Sequence, residues 1–167
     1  MDEDPLRTGD LSLTLLWPIF KDEGIYTCSV LRDGDMLMEK RVLLWVKVPK
    51  VEVESGVESV LLPWRITERL DGGVKVEWKD EDNKKVHVYQ NGSDQPGEQD
   101  QKYRTRTKMD GNALKNKNLS LTLTCPTFRD TGTYTCSVYN RDGDMLMRKQ
   151  VSLQVKGQWF KCIFPIS

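Results

Sequence analysis

Apolar and polar residues alternate along the chain in short runs. The run SVLLPWRIT (59–67) places Val60, Leu62 and Trp64 on one face of an extended strand. VKVEW, KVHVY and LSLTLT alternate in the same way, and the segments between them are rich in Gly, Asp, Asn and Gln. A period of two predicts half-buried β-strands joined by turns. We find no helical period of useful length and therefore expect an antiparallel β-sandwich.

The chain also contains an internal repeat. Residues 11–30 read LSLTLLWPIFKDEGIYTCSV, and residues 119–138 read LSLTLTCPTFRDTGTYTCSV, at an interval of about 108 residues. This interval is the size of a whole small domain. We therefore expect the C-terminal part of a truncated domain over 1–48, a complete domain over 49–156 and an unassigned tail over 157–167.

The first copy supplies only the later strands of such a domain. Alone, these strands would expose one apolar sheet face, unless upstream sequence supplies the missing strands. The segment VPKVEVESG (48–56) is interpreted as a short junction between the two copies.

Composition and charge narrow the possible functions. The 167 residues include 25 basic and 25 acidic side chains, so the formal net charge is zero, and 38% of them are hydrophobic. A neutral chain has no overall field that attracts nucleic acid or an anionic membrane, and we expect neither as a partner. No apolar run approaches the roughly 20 residues that cross a bilayer, and the start MDEDPLRTGD has no signal-peptide pattern. The chain is thus either intracellular or a piece of a longer protein, and the repeat favours the second.

Candidate catalytic and metal-binding residues are few. His87 is the single histidine, and the four cysteines show no metal-ligand spacing. No nucleophile elbow or phosphate-binding glycine loop occurs. We therefore expect no enzyme activity, no cofactor and no bound metal.

One motif carries a family resemblance. The letters D-x-G-x-Y-x-C end at Cys136, and Trp78 lies in VKVEWKD. With these motifs the second copy resembles the immunoglobulin superfamily, with Cys136 in strand F and Trp78 in strand C. The length between Trp78 and Leu119 leaves room for the extra C′ and C″ strands. The resemblance is therefore to the V-set (variable) type, and it is strongest to the butyrophilin, B7 and myelin-oligodendrocyte-glycoprotein group and to tandem V-set receptors of fish.

This resemblance implies an all-β immunoglobulin-like sandwich (V-set), preceded by a partial copy of the same domain. The implied structural core is Trp64, Trp78, Tyr134 and Cys136. Tyr134 is expected to direct its hydroxyl at the backbone of the E–F corner. The tract YRTRT is similar to strand D of variable-type domains, which implies a salt bridge between Arg106 and Asp130.

Trp64 stands where the family pattern has the strand B cysteine that bridges to strand F. The family disulfide therefore cannot form. Loss of such a bridge costs about 2–5 kcal/mol, and an indole beside Trp78 adds about 1–3 kcal/mol of overpacking. Three explanations stay open, namely a tolerated natural replacement, a single-base change from a Cys codon and a decayed gene copy.

The cysteines Cys28, Cys125, Cys136 and Cys162 have no family partner in this chain. Free thiols are expected, with a bridge from Cys125 to Cys162 or to another chain as the alternatives. Cys125 should lie near the E–F turn and be partly exposed.

Family members bind other V-set domains through the face of strands G, F, C and C′. Alternation places on this side, beside Lys79 and Thr135, the candidate partner residues Lys75, Glu77, His87, Tyr89, Ser137 and Tyr139. Tyrosines are typical anchors of interfaces, although a plain sheet surface explains them equally well. Asn91 and Asn118 begin N-x-S sequons and are candidate N-glycosylation sites if the chain enters the secretory pathway.

The resemblance therefore implies a non-enzymatic extracellular recognition or adhesion module of an immune-type cell-surface receptor or ligand, located outside the plasma membrane or secreted in the full-length protein. The expected partner is another immunoglobulin-like domain on a cell surface. The alternative is a structural spacer or a nonfunctional fragment of a tandem array.

Overall fold

The computed structural model describes residues 4–157. Its contacts divide the chain into two compact units, the first ending at Lys47 and the second beginning at Val48. The predicted tail falls almost wholly on residues 158–167, which lie outside the described residues, as does Cys162.

From residue 4 onward the first unit consists of a short helix, a 3₁₀ turn and one hairpin. Helix α1 (Pro5–Thr8) is followed by the 3₁₀ turn Phe20–Asp22 and by strands β1 (Gly24–Arg32) and β2 (Asp35–Leu44). Asp-Gly at the tip of the hairpin has positive φ at both residues, as a two-residue type I′ turn requires.

Over residues 48–157 the second unit consists of strands and two 3₁₀ turns. The 3₁₀ turns cover Pro96–Glu98 and Phe128–Asp130. The strands are β3 (Lys50–Glu54), β4 (Ser59–Leu62), β5 (Lys75–Lys79), β6 (Lys85–Gln90), β7 (Ser93–Asp94), β8 (Thr107–Lys108), β9 (Leu121–Thr124), β10 (Gly132–Tyr139) and β11 (Met145–Lys156).

Within the described residues these strands form two sheets. The larger has the order β3-β11-β10-β5-β6-β7, and the smaller has the order β4-β9-β8. All pairings are antiparallel except that β3 runs parallel to β11. The junction expected between the copies is therefore wrong for residues 50–54. Val51 and Val53 pack against the core, so the alternation of VEVE forms an edge strand.

The core lies between the two sheets. The smaller sheet contributes fully buried leucines, and the larger contributes aromatic, cysteine and valine side chains. Side chains with at most 2% exposure include Leu62, Leu121, Leu123, Trp78, Tyr134, Cys136 and Val151. Trp78 also donates its indole Nε1–H to the carbonyl of Leu119 at 3.1 Å, which anchors it across the sandwich. The second unit is thus an all-β two-layer sandwich.

Trp64 continues the buried alternation of β4, although the ladder stops before Pro63. Its side chain is 6% exposed. Its backbone N–H donates to Ser120 Oγ at 2.9 Å, and its carbonyl accepts from Leu119 N at 2.8 Å. A tryptophan therefore fits this position with its backbone groups satisfied.

The cysteines of the second unit differ in state. Cys136 is a free, fully buried thiol, and burial raises its pKa well above the usual value. Cys125 is disulfide-bonded and 7% exposed. The expectation of a partly exposed free thiol at Cys125 is therefore wrong. In the first unit, Cys28 is a free, exposed thiol.

The expected strand D is much shorter than the YRTRT tract suggested. Residues 101–106 form turns, and only Thr107–Lys108 pair with β9. Thr105 has a positive φ of 75°, which no β-strand accommodates.

The hairpins β1–β2 and β10–β11 have corresponding registers. Tyr26 pairs with Val42 as Tyr134 pairs with Val151, and each hairpin has an irregularity one residue after a valine, Val30 or Val138. The hydroxyl of Tyr134 donates to the carbonyl of Asp130 at 2.6 Å, and that of Tyr26 donates to the carbonyl of Asp22 at 2.7 Å. The same local geometry thus occurs in both units.

Candidate functional site

The outward side of β11, β10, β5 and β6, called the outer face below, is ordered in rows across the strands. Residues directly opposite on neighbouring strands point to the same side of a sheet. The register gives three rows, namely Tyr139–Lys75–Gln90, Arg148–Ser137–Glu77–Val88 and Gln150–Thr135–Lys79–Lys85. Lys75, Glu77, Ser137 and Tyr139 thus lie together on the outer face, as the alternation predicts.

Glu77 is the electrostatic centre of this face. Its carboxylate lies 3.1 Å from the Nζ atoms of both Lys75 and Lys79, and 3.5 Å from that of Lys85. Burial alone would raise the pKa of Glu77, but the hydrogen bonds and charges of Lys75 and Lys79 outweigh it and hold the pKa below its usual value. Glu77 is therefore a buried anion beneath a layer of lysines.

Glu98 extends the same cluster toward the sheet edge. Its Oε2 accepts hydrogen bonds from Lys75 at 2.8 Å and from Lys85 at 2.7 Å. These two bonds lower the pKa of Glu98 to about 2. The lysine ammonium groups are thereby held over the sheet rather than extended into solvent.

His87 and Tyr89 do not lie on the outer face, so their predicted exposure is wrong. They pair with Trp78 and Val76, which face the core, and they are 1% and 3% exposed. The His87 ring contacts Thr107 Oγ1 at 2.9 Å and Asp94 Oδ1 at 2.8 Å. The alternation in KVHVY does not show which side chains face the core, because β6 is buried on both of its faces.

Ser137 and Tyr139 differ in accessibility. Ser137 is buried, at 8% exposure, between Arg148 and Glu77 of the neighbouring strands, and Glu77 is 7% exposed. The predicted exposure of these two residues to a partner is therefore wrong. Tyr139 is partly exposed and lines a pocket at the end of the face. Of the two predicted tyrosines, only Tyr139 is accessible to a partner.

The pocket beside Tyr139 was not predicted from the sequence. It has a volume of about 460 Å³, and its walls include Gly73, Lys75, Glu77, Tyr139 and Arg141. A Cβ added to Gly73 would overlap Nε of Arg141, so the guanidinium occupies the space that a side chain would fill. The glycines of the turn DGGV are explained by the turn itself, so the sequence does not indicate that Arg141 packs against Gly73.

Arg106 and Asp130 form an ion pair at the end of the sandwich opposite the Tyr139 pocket. Nη2 of Arg106 lies 2.6 Å from Oδ2 of Asp130, and Nη1 lies 3.2 Å from Oδ1. Asp130 also accepts from the backbone N–H of Thr127 at 2.8 Å. This is the pair that the strand D resemblance implied.

The two sequons have different surroundings. Asn91 is exposed at the tip of the β6–β7 hairpin, where it and Gly92 have positive φ. The Oδ1 atom of Asn118 accepts from the Ser120 hydroxyl at 2.6 Å, and Ser120 is only 7% exposed.

Across residues 4–157 no group of three or more His, Cys, Asp or Glu side chains is arranged to hold a metal ion. In that part of the chain no helix is long and apolar enough to cross a membrane.

Comparison with known proteins identifies the family. Residues 49–156 match the Immunoglobulin V-set domain family, which confirms the resemblance read from the sequence. The chain belongs to the V-set family of the immunoglobulin superfamily.

Two curated relatives are similar over part of the chain. HERV-H LTR-associating protein 2 of Homo sapiens is 37% identical over 81 residues, which is 48% of this chain and 19% of that protein. Myelin-oligodendrocyte glycoprotein of Macaca fascicularis is 31% identical over 105 residues, which is 62% of this chain and 42% of that protein. The chain thus matches less than half the length of these relatives.

Two solved structures share the fold. A chain of the crystal structure of ICOS in complex with ICOS-L and an anti ICOS-L VNAR domain matches with a TM-score of 0.59 and 23% identity, over 65% of this chain and 55% of that one. Bovine butyrophilin matches with a TM-score of 0.54 and 23% identity, over 62% of this chain and 49% of that one.

Proposed function

We propose that the chain is a non-enzymatic recognition module of an immune-type cell-surface or secreted protein, and that it binds another immunoglobulin-like domain through the outer face. Membership in the V-set family supports the general class. The fold alone does not define a partner, so the specific proposal rests on the face itself.

The observation that carries the proposal is the arrangement around Tyr139. This side chain lies partly exposed in one row with Lys75, whose ammonium group is held by Glu77 and Glu98. An accessible aromatic ring bordered by ordered charges has the composition of an interface anchor with a polar rim. Because the lysine side chains are already ordered in the free protein, they lose little conformational entropy when a partner binds.

The test is binding of the full-length chain to immune cells, with Tyr139→Ala as the informative variant. Loss of Tyr139 is expected to abolish binding, because hot-spot aromatics at interfaces contribute at least about 2 kcal/mol. Leu61→Ala is the matched control, because Leu61 is 53% exposed on the smaller sheet. Binding that survives Tyr139→Ala would contradict the proposed face. Absence of binding by the wild-type chain would favour the spacer alternative.

We further propose that residues 1–48 are the C-terminal part of a second V-set domain. The corresponding registers of the two hairpins and the matching tyrosine bonds support this. Sequence identity at the seven buried apolar positions of the hairpin also supports it. The residues Tyr134, Cys136, Val138, Met147, Val151, Leu153 and Val155 correspond to Tyr26, Cys28, Val30, Met38, Val42, Leu44 and Val46.

A transplant within the full chain tests this second proposal. Residues 132–156 are replaced by a second copy of residues 24–47, which would bring the same seven core side chains to the sandwich. We expect the second unit to keep a cooperative unfolding transition. Failure of this chimera to fold would contradict the proposal, provided that a second chimera that keeps the native turn over residues 139–144 also fails to fold.

A further inference from the structure

The pocket at the end of the outer face lies where two turns of the second unit meet the β6–β7 hairpin, which contributes Gln90 and Asn91. Gly73 lies in the turn before β5, and Arg141 lies in the turn between β10 and β11. Tyr139 and Lys75 form further parts of the wall. Of these side chains, Lys75 is already engaged by Glu77 and Glu98.

The guanidinium of Arg141 is available to bind an anionic ligand. Its side chain is exposed and has no ion pair within residues 4–157. The guanidinium nevertheless has a defined place, because it lies against the backbone of Gly73, with Cζ 2.8 Å from where a Cβ would stand. A side chain at residue 73 would displace it.

The turn that carries Arg141 is held by its own hydrogen bonds. Oδ1 of Asn140 accepts from the backbone N–H groups of Asp142 at 3.0 Å and Asp144 at 2.8 Å. Nδ2 of Asn140 donates to the Asp144 carboxylate at 3.1 Å. Gly143 supplies the positive φ of 90° that closes the turn. Arg141 is therefore presented from an ordered turn.

We infer that this pocket is a subsite for one carboxylate side chain, Asp or Glu, of the protein partner, held by the guanidinium of Arg141 beside the Tyr139 ring. A guanidinium offers two parallel N–H donors that match a carboxylate. The buried anion Glu77 is part of the same wall. Because Lys75 is already paired with Glu77 and Glu98, Arg141 supplies one uncompensated positive charge in this wall, which one carboxylate balances and a dianionic phosphate exceeds. This inference deepens the proposed function and rests on it.

The test uses two peptides that differ in one charge. Acetyl-Gly-Tyr-Glu-Tyr-Gly-amide and its Gln counterpart are titrated into the full-length, isotope-labelled chain, and amide and arginine Nε–H shifts are followed by NMR. The Glu peptide is expected to bind roughly tenfold more tightly, as a charge-assisted hydrogen bond provides. The saturable shifts should centre on Gly73, Tyr139 and Arg141.

Three variants locate the effect. Arg141→Ala should abolish the preference for Glu by removing the charge, and Gly73→Ala should weaken it by displacing the guanidinium while keeping the charge. Lys115→Ala, a change of an exposed cation outside the pocket, should leave it intact. Thermal melts confirm that the variants remain folded.

Several results would overturn the inference. These are equal affinity for both peptides, a Glu preference that survives Arg141→Ala, or tighter binding of inorganic phosphate at the same amides. Because the assay uses peptides in solution, its failure leaves the binding of cells through Tyr139 untouched. The cell-binding proposal fails instead if the wild-type chain does not bind cells or if binding survives Tyr139→Ala, and this titration measures neither.

Discussion

Arg106 and Asp130 form a two-pronged ion pair in which one partner is fully buried and the other is partly exposed. The side chain of Asp130 is 0% exposed and that of Arg106 is 23% exposed. Burial alone would raise the pKa of Asp130, but hydrogen bonds from Arg106 and Thr127, together with the Arg106 charge, hold the pKa below the usual value. The pair therefore makes the stability of the second unit depend on pH.

Asp130→Asn should destabilise the second unit at neutral pH by about 3–5 kcal/mol, because it leaves the arginine without its buried partner. A lowered carboxyl pKa contributes stability that is present above the unfolded value of about 4 and is lost as the pH falls through the folded value. The difference between wild type and variant should therefore shrink below about pH 4. Urea unfolding at pH 7, 5 and 3, followed through β10 amide signals, measures it. A difference that stays constant with pH would contradict this assignment.

The hydroxyl of Tyr134 also stabilises the backbone at Asp130. Tyr134→Phe removes a buried hydrogen bond of 2.6 Å to the carbonyl of Asp130 and should cost about 1–3 kcal/mol. Tyr26→Phe is the matched control, because the same bond in the first unit belongs to an exposed tyrosine and should contribute less than about 0.5 kcal/mol. Denaturant midpoints of both variants test the contrast. Equal losses of stability would mean that burial does not determine how much this hydrogen bond contributes to the free energy of unfolding.

The fold of the second unit was largely readable from its sequence. The alternation around Leu62 and the run LSLTLT predict strands correctly, because each has one face on the core and one face on solvent. The D-x-G-x-Y-x-C motif specifies a local corner, so its geometry follows from a few neighbouring residues. The alternation VEVE of β3 is visible in the sequence, but its parallel pairing with β11, which is distant along the chain, leaves no local mark, and the segment therefore resembles a junction.

The candidate site was harder to predict than the fold. The direction of His87 and Tyr89 depends on the register with β5, which includes a shift after Trp78. A one-residue change of register reverses the face of every following side chain. The contact between Gly73 and Arg141 joins two turns that are distant in sequence. The capture of Lys75 by both Glu77 and Glu98 likewise requires the folded sheet.

The two sequons should be modified to different extents. If the chain is expressed behind a secretory signal, we expect a glycan at Asn91, whose side chain lies at an exposed hairpin tip. Asn91 also lines the Tyr139 pocket, so a partner in that pocket would bind beside this glycan. Asn118 should stay largely unmodified, because its amide oxygen is bonded to Ser120 and that serine is buried. Mass spectrometry before and after enzymatic deglycosylation measures occupancy, with Ser93→Ala and Ser120→Ala as controls. Full occupancy of Asn118 would contradict the expected protection.

Trp64→Cys should restore the strand B to strand F bridge with Cys136. The position continues the inward alternation of β4, and Cys136 is a free buried thiol in the facing sheet. Removing the indole leaves a cavity that costs about 3–5 kcal/mol, while a disulfide closing a loop of this length contributes about 4 kcal/mol. The oxidised variant should therefore lie within about 2 kcal/mol of the wild type.

The reduced form of the same variant should be less stable than the oxidised form by several kcal/mol. Trp64→Ser, which cannot form the bridge, should behave like the reduced variant and so separates the cavity from the cross-link. Peptide mapping of the link between position 64 and Cys136, together with urea unfolding with and without reductant, measures both effects. If no link forms under oxidising conditions, Trp64 does not occupy the strand B cysteine position, and the tryptophan has another structural reason to be there.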